Sequence, residues 1–147
     1  MKTKHLFSVL LILAFASLSA YTQINVTSYS VYSLGIGTSK DKKISGELKS
    51  FLNSHLYDLS LEADVMYNFK AQDYHRFSIG LGVNFSPFTG GEDELESNAI
   101  TIPCQLEIFP LQNFKRLSFV MELTPHWLFG DEWAFRYLWG IRYTFKN

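Results

Sequence analysis

Seven ionisable side chains fall on alternate positions of segments whose other residues are apolar: Asp58, Glu62, Asp64, Glu107, Glu122, Arg136 and Arg142. Gathered away from water, they would form an ion-paired network, because a buried charge is costly unless it is partnered. A path for protons or small ions is the alternative, but a narrow barrel has no room for an aqueous channel, which favours the ion-paired plug. Five acids against two arginines leave an excess of carboxylate, which calls for protonation or contact with water. Glu122 and His126 lie four residues apart on one face of the same segment. They could serve a hydrolytic triad only with a serine hydroxyl in reach, and no diagnostic Ser-His motif accompanies them. Glu92, Asp93, Glu94 and Glu96 follow Gly90-Gly91. Carboxylate clusters suit hard cations, but this spacing is not that of a known calcium loop, so a solvated surface loop is the simpler reading. His55 and His75 stand apart from any ligand cluster. No metal site and no cofactor is proposed.

The elements that must position these groups are β-strands. From Tyr57 to Phe69 every odd residue is apolar or aromatic, and five of the six residues between them are polar. Side chains alternate faces along a strand, so this pattern gives one apolar face and one polar face. It recurs over 77–85, 100–108, 117–127 and 133–145. A weaker first strand begins near Ile24 and ends with Tyr32, Leu34 and Ile36. Six strands are read in all. Segments 70–75 and 110–116 are short turns, whereas 38–55 and 87–98 are longer and polar. The stretch 38–55 contains Ile44, Leu48, Phe51 and Leu52, which could form a further hairpin, giving eight strands, or a short amphipathic helix. Glycines 35, 37, 80, 82 and 140 fall on the polar face, where they would make room in a crowded interior.

The first twenty residues read differently. Lys2, Lys4 and His5 precede a largely apolar run from Leu6 to Leu18, and Ala20 follows. Basic, then apolar, then small is the order of a secretory signal peptide. The run is short for a membrane helix, which needs about 20 residues. We therefore expect a signal peptide over 1–20 and one barrel domain over 21–147. Cys104 is the only cysteine, so no intrachain disulfide is possible. Without Lys2 and Lys4, the 13 basic residues fall to 11 against 14 acidic ones, which is no nucleic-acid footprint.

Alternation alone does not say which face points inward. The apolar face carries no charge in the five clear strands. Its aromatics gather at strand ends, with Phe69, Phe77, Tyr143 and Phe145 at one end and Phe85, Trp127, Phe129 and Trp133 at the other. Aromatic girdles at two interfaces belong to membrane barrels. A chain without a long apolar helix can cross a bilayer only as a closed barrel. The expectation is an all-β, antiparallel up-and-down transmembrane β-barrel with the charged residues in its lumen.

The run Tyr137-Leu138-Trp139-Gly140-Ile141-Arg142-Tyr143-Thr144-Phe145 resembles the aromatic last strand of outer-membrane β-barrel proteins, although Lys146 and Asn147 follow it. Phe77 to Phe85 and Ile108-Phe109-Pro110-Leu111 resemble small barrels of the Bacteroidota type. The resemblance implies an outer-membrane location in a Gram-negative cell and contact with outer-membrane lipid. It also implies recognition of Tyr143 and Phe145 by the barrel-assembly machinery. It implies no activity. The expected role is non-enzymatic: a barrel with a narrow plugged lumen that supports the membrane or joins a larger outer-membrane complex or a second copy of the chain. Two alternatives remain, a lipid-modifying outer-membrane hydrolase and a soluble lipocalin-like binder of apolar ligands.

Overall fold

The structure is a computed structural model that describes residues 23–30, 32–52, 59–86, 96–111, 113–128 and 132–145, with 96–98 described for their backbone alone. The expected signal peptide, Asp58, His55, Phe129 and the acidic side chains of 92–96 lie outside the residues so described.

Nine strand segments form one antiparallel sheet: β1 (Ile24–Tyr29), β2 (Ser33–Thr38), β3 (Ile44–Leu52), β4 (Leu59–Asn68), β5 (His75–Ser86), β6 (Glu96–Thr101), β7 (Cys104–Ile108), β8 (Leu117–Leu128) and β9 (Glu132–Thr144). β6 and β7 are two halves of one stave, since both lie between β5 and β8. The break falls at Ile102-Pro103, where proline has no N–H to give to a ladder. There Gly80 N donates to Pro103 O at 2.8 Å and Ile102 N donates to Pro125 O at 3.0 Å. Each stave pairs with its neighbours in the chain, and β9 pairs with β1. The result is a closed eight-stranded up-and-down barrel, and closure leaves no open sheet edge running the length of the wall.

The structure replaces the six-strand reading with eight. The stretch read as one weak first strand is a hairpin, β1 and β2, turning at Ser30–Tyr32, where Tyr32 takes a left-handed φ of 46°. The stretch read as a long connection holds β3, paired with β2 from Ser33↔Phe51 to Gly37↔Glu47 and with β4 along its whole length. The missed strands have a common cause. β1 and β2 are short and rich in Ser, Thr and Gly, and β3 carries Glu47 and Lys49, so neither shows the run of bulky apolar residues that marks the others.

Asn25 pairs with Thr144, so the first and last strands meet at one end of the barrel. That end also holds 39–43, 69–74, 109–111 and 113–116, and we call it the turn end. The opposite end, where Tyr29, Leu52, Leu59, Ser86, Leu128 and Glu132 stand, we call the loop end. The longest strands have 12 or 13 residues, which at about 3.3 Å each and a tilt of about 45° gives roughly 28 Å of height.

The burial pattern is inverted relative to a water-soluble barrel. Among the described residues, the buried set contains twenty polar or charged side chains and six hydrophobic ones. The small apolar cluster of Tyr29, Val120 and Leu138 is an island in this polar interior. The outward face carries Leu81 (62% exposed), Trp139 (59%), Tyr137 (72%) and many others like them. Register fixes this choice, because a one-residue slip would turn every side chain to the opposite face.

Candidate functional site

Six of the seven ionisable residues singled out in the sequence point into the lumen: Glu62, Asp64, Glu107, Glu122, Arg136 and Arg142. The seventh, Asp58, lies outside the described residues. The strand reading missed six partners that complete the site: Tyr29, Lys40, Glu47, Lys49, Arg76 and Gln105. The alternation Ile44, Gly46, Leu48, Ser50 outward against Ser45, Glu47, Lys49 inward was available in the sequence. It was hidden because two charges stood where apolar residues usually mark a strand.

Toward the loop end, Lys49 sits at the centre of three carboxylates. Its Nζ lies 3.1 Å from Glu62 Oε1, 2.8 Å from Asp64 Oδ2 and 2.7 Å from Glu122 Oε2. Arg136 forks onto Glu62, with Nη1 donating to Oε2 at 2.9 Å and Nη2 to Oε1 at 2.7 Å. Such planar two-point pairing fits guanidinium to carboxylate. The Arg136 guanidinium, paired at its edge with Glu62, lies over the Phe51 ring at 4.4 Å from the ring centroid. Thr124 Oγ1 donates to Glu122 at 2.6 Å.

Toward the turn end, Arg142 is the hub. Its Nε donates to Thr27 Oγ1 at 2.7 Å, and its Nη2 donates to Glu47 Oε1 at 2.9 Å and to Gln105 Oε1 at 3.2 Å. Tyr29 OH donates to Glu47 Oε1 at 2.7 Å. Glu47 also meets Lys40 at 3.2 Å. Glu107 accepts from Ser118 Oγ at 2.5 Å and lies 3.6 Å from Arg76. Lys40 belongs to the turn after β2, below the strands. Burial pulls its ammonium down to about 8, with Glu47 acting in the opposite direction.

Gln105 joins the two groups. Its Nε2 donates to Glu47 Oε2 at 2.9 Å and to Glu122 Oε2 at 2.7 Å. The lumen is thus one connected network. The excess of acid expected from the sequence disappears among the described residues: Glu47, Glu62, Asp64, Glu107 and Glu122 face Lys40, Lys49, Arg76, Arg136 and Arg142. Close packing accompanies the pairing. A side-chain Cβ at Gly82 would overlap Asp64 Oδ1, and one at Gly35 would crowd Glu47 Oε1 and the Tyr29 ring. These glycines hold space for the network.

His126 does not join it. Its Nδ1 lies 3.2 Å from the Thr124 carbonyl oxygen, a backbone contact that orients the ring and activates no hydroxyl. On the outer wall, aromatic pairs mark both ends. Phe69 and Phe77 (5.6 Å) and Tyr143 and Phe145 (4.9 Å) lie at the turn end, and Trp127 and Trp133 (6.5 Å) lie at the loop end. No protein-family model, no curated protein and no solved structure matches this chain.

Proposed function

We propose that this chain is an integral outer-membrane β-barrel, exported by the signal peptide at 1–20, with a lumen plugged by its own charges and a structural or partner-binding role. One observation carries the reading: the barrel is apolar outside and ionic inside. Soluble monomers rarely expose contiguous apolar patches beyond a few hundred Å², and a lipocalin-like binder would need an apolar cavity where this barrel has Glu, Lys and Arg. Acyl chains suit the outer wall, the aromatic pairs suit the two interfaces, and the wall height suits the hydrocarbon layer. With the termini in the periplasm, the turn end faces inward and the loop end faces the medium. On this reading the family likeness is to small Bacteroidota-type barrels, and Tyr143 and Phe145 address the chain to the barrel-assembly machinery.

The role we propose for the lumen is mechanical. Lys49 reaches from β3 to Glu122 on β8, on the opposite side of an eight-stave wall. Side chains meeting across the whole diameter leave no aqueous channel, as expected of barrels this narrow. Interaction with a larger outer-membrane complex or a second copy would then use the loop end or the outer wall.

Cell fractionation with gel mobility before and after boiling tests the location. We expect recovery in the outer-membrane fraction and a shift in migration on heating. Recovery in the periplasmic or culture fraction without detergent would overturn the membrane reading. Stepwise conductance in a planar bilayer would overturn the plug.

A further inference from the structure

We infer that the turn end of the barrel holds a binding site for the phosphate of an anionic phospholipid headgroup, an inference that rests on the outer-membrane reading above. Two cavities that share Lys40, Asp41, Ala71 and Arg76 open there, of about 160 and 400 Å³. The larger is lined by Lys40, Lys42, Lys43, Lys70 and Arg76, with Asp41 as its one acid. Lys115 lines the smaller.

The cations stand on a fixed backbone. Asn68, the last residue of β4, donates its Nδ2 to Lys42 O at 2.8 Å and its N–H to Lys43 O at 2.7 Å. Asp41 N donates to Ser39 Oγ at 3.2 Å. The turn 39–43 is therefore tied to the neighbouring wall, and its lysines project from a held loop. Lys42, Lys43 and Lys70 are exposed, and no carboxylate among the described residues pairs with them.

The floor supplies a second, independent observation. Arg76 is 7% exposed and lines both cavities. Its Nη2 meets Asp41 at 2.7 Å and its Nη1 lies 3.6 Å from Glu107, but its buried Nε–H has no hydrogen-bond partner among the described residues. A buried donor left unmade is costly, and an anion oxygen would satisfy it. Guanidinium and ammonium groups together suit phosphate.

Position selects the source of that phosphate. Tyr67 and Phe69 line the same cavity and belong to the exposed aromatic end of the outer wall. Aromatic belts sit at headgroup level, so the lysines beside them lie at the depth of lipid phosphates, where each contributes about fivefold to attraction for an anionic leaflet. The other end shows no such cations: the described residues that bound its connections include Glu96 and Glu132 and no Lys or Arg. The site thus belongs to the turn end alone.

The test uses the full chain folded in neutral detergent micelles doped with phosphatidylglycerol or phosphatidylcholine, with bound lipid counted by native mass spectrometry. We expect one phosphatidylglycerol to be retained over phosphatidylcholine. Lys42→Gln, Lys43→Gln and Lys70→Gln would each weaken retention about fivefold, and the triple variant would abolish the preference. A barrel that still shifts on heating but holds both lipids equally would overturn the headgroup site and leave the membrane reading intact. Displacement by millimolar inorganic phosphate, with no dependence on acyl chains, would overturn the lipid assignment in favour of free phosphate. A chain that stays soluble without detergent and shows no heat shift would overturn both.

Discussion

Lys49 Nζ and Glu122 Oε2 lie 2.7 Å apart across the full width of the lumen, although 73 residues separate them in the chain. This pair ties β3 to β8, two staves that share no backbone ladder. Removing the ammonium alone leaves Glu62, Asp64 and Glu122 facing one another without their shared cation. Breaking one side of a buried ion pair costs about 3–5 kcal/mol, whereas replacing both sides by apolar groups is often near neutral. We therefore expect Lys49→Met to lower stability by about that amount, and Lys49→Met with Glu122→Leu to recover part of it. Denaturant unfolding in detergent micelles measures both. A loss below about 1 kcal/mol in the single variant would show that the network is not held by this lysine.

The outer wall gives a separate prediction. Leu81 is at the middle of β5 and points outward, whereas Phe145 lies at the turn-end rim. In a bilayer, arginine costs about 2–4 kcal/mol at the midplane and about 0–1 kcal/mol near an interface. Leu81→Arg is expected to fall in the first range and Phe145→Arg in the second, measured by equilibrium folding into phospholipid vesicles. On the surface of a soluble barrel both would change stability by about 0.5 kcal/mol or less.

Lys40 sets a pH dependence. Its folded value of about 8 lies below the ordinary 10.5, because burial disfavours the ammonium. Between these values the unfolded chain binds more protons than the folded one, so stability rises with pH across that window. The rise is at most about 3 kcal/mol, from about 1.4 kcal/mol for each pH unit. Glu47, Arg142 and Glu107 surround the group. We expect the stability of the wild type relative to Lys40→Met to climb from pH 8 to 10.5. A flat difference would mean that Lys40 reaches water.

The C-terminal strand separates folding from delivery. The Tyr143–Phe145 pair packs edge to face on the outer wall, away from the lumen network. On the proposed reading, Phe145→Ala would lower the amount of barrel in the outer membrane of cells several-fold while leaving refolding in micelles within about 1 kcal/mol of wild type. Equal loss in both measurements would make Phe145 a packing residue and not an address.

How much of this was legible in the sequence follows from how strongly each strand alternates. β4, β5, β8 and β9 carry bulky apolar residues at every second position, and their faces and approximate spans are plain from the chain alone. The Trp139 and Leu81 faces are outward, as the lack of charge on that face and its aromatic ends led us to expect. β1 and β2 are six residues each, too short for a period of two to stand out. β3 hides because its inward residues are Glu47 and Lys49, which in isolation read as a solvated loop. The same concealment removed the hub of the site. Arg142 and Glu122 were visible on clear strands, but Lys49, which binds three acids, was not. Lys40 and Arg76 were hidden for a different reason: they lie at the barrel mouth, where burial depends on closure and not on any local pattern.

The polar interior also constrains the order of events by which such a wall can be made. The three carboxylates around Lys49 come from β4 and β8, and Arg142 on β9 is satisfied by β1, β3 and β7. Some counter-charges lie within one hairpin, as Lys49 on β3 with Glu62 and Asp64 on β4, but Glu122 reaches Lys49 from across the lumen, and the carboxylates beside Arg142, Glu47 and Glu107, lie on β3 and β7 and not on its hairpin partner β8. On the outer-membrane reading, a β8–β9 hairpin entering acyl chains alone would carry Arg142 into hydrocarbon without Glu47 or Glu107, along with unpaired backbone on both flanks. Insertion hairpin by hairpin is then a costly route, and on that reading the staves would curl together before, or while, they cross.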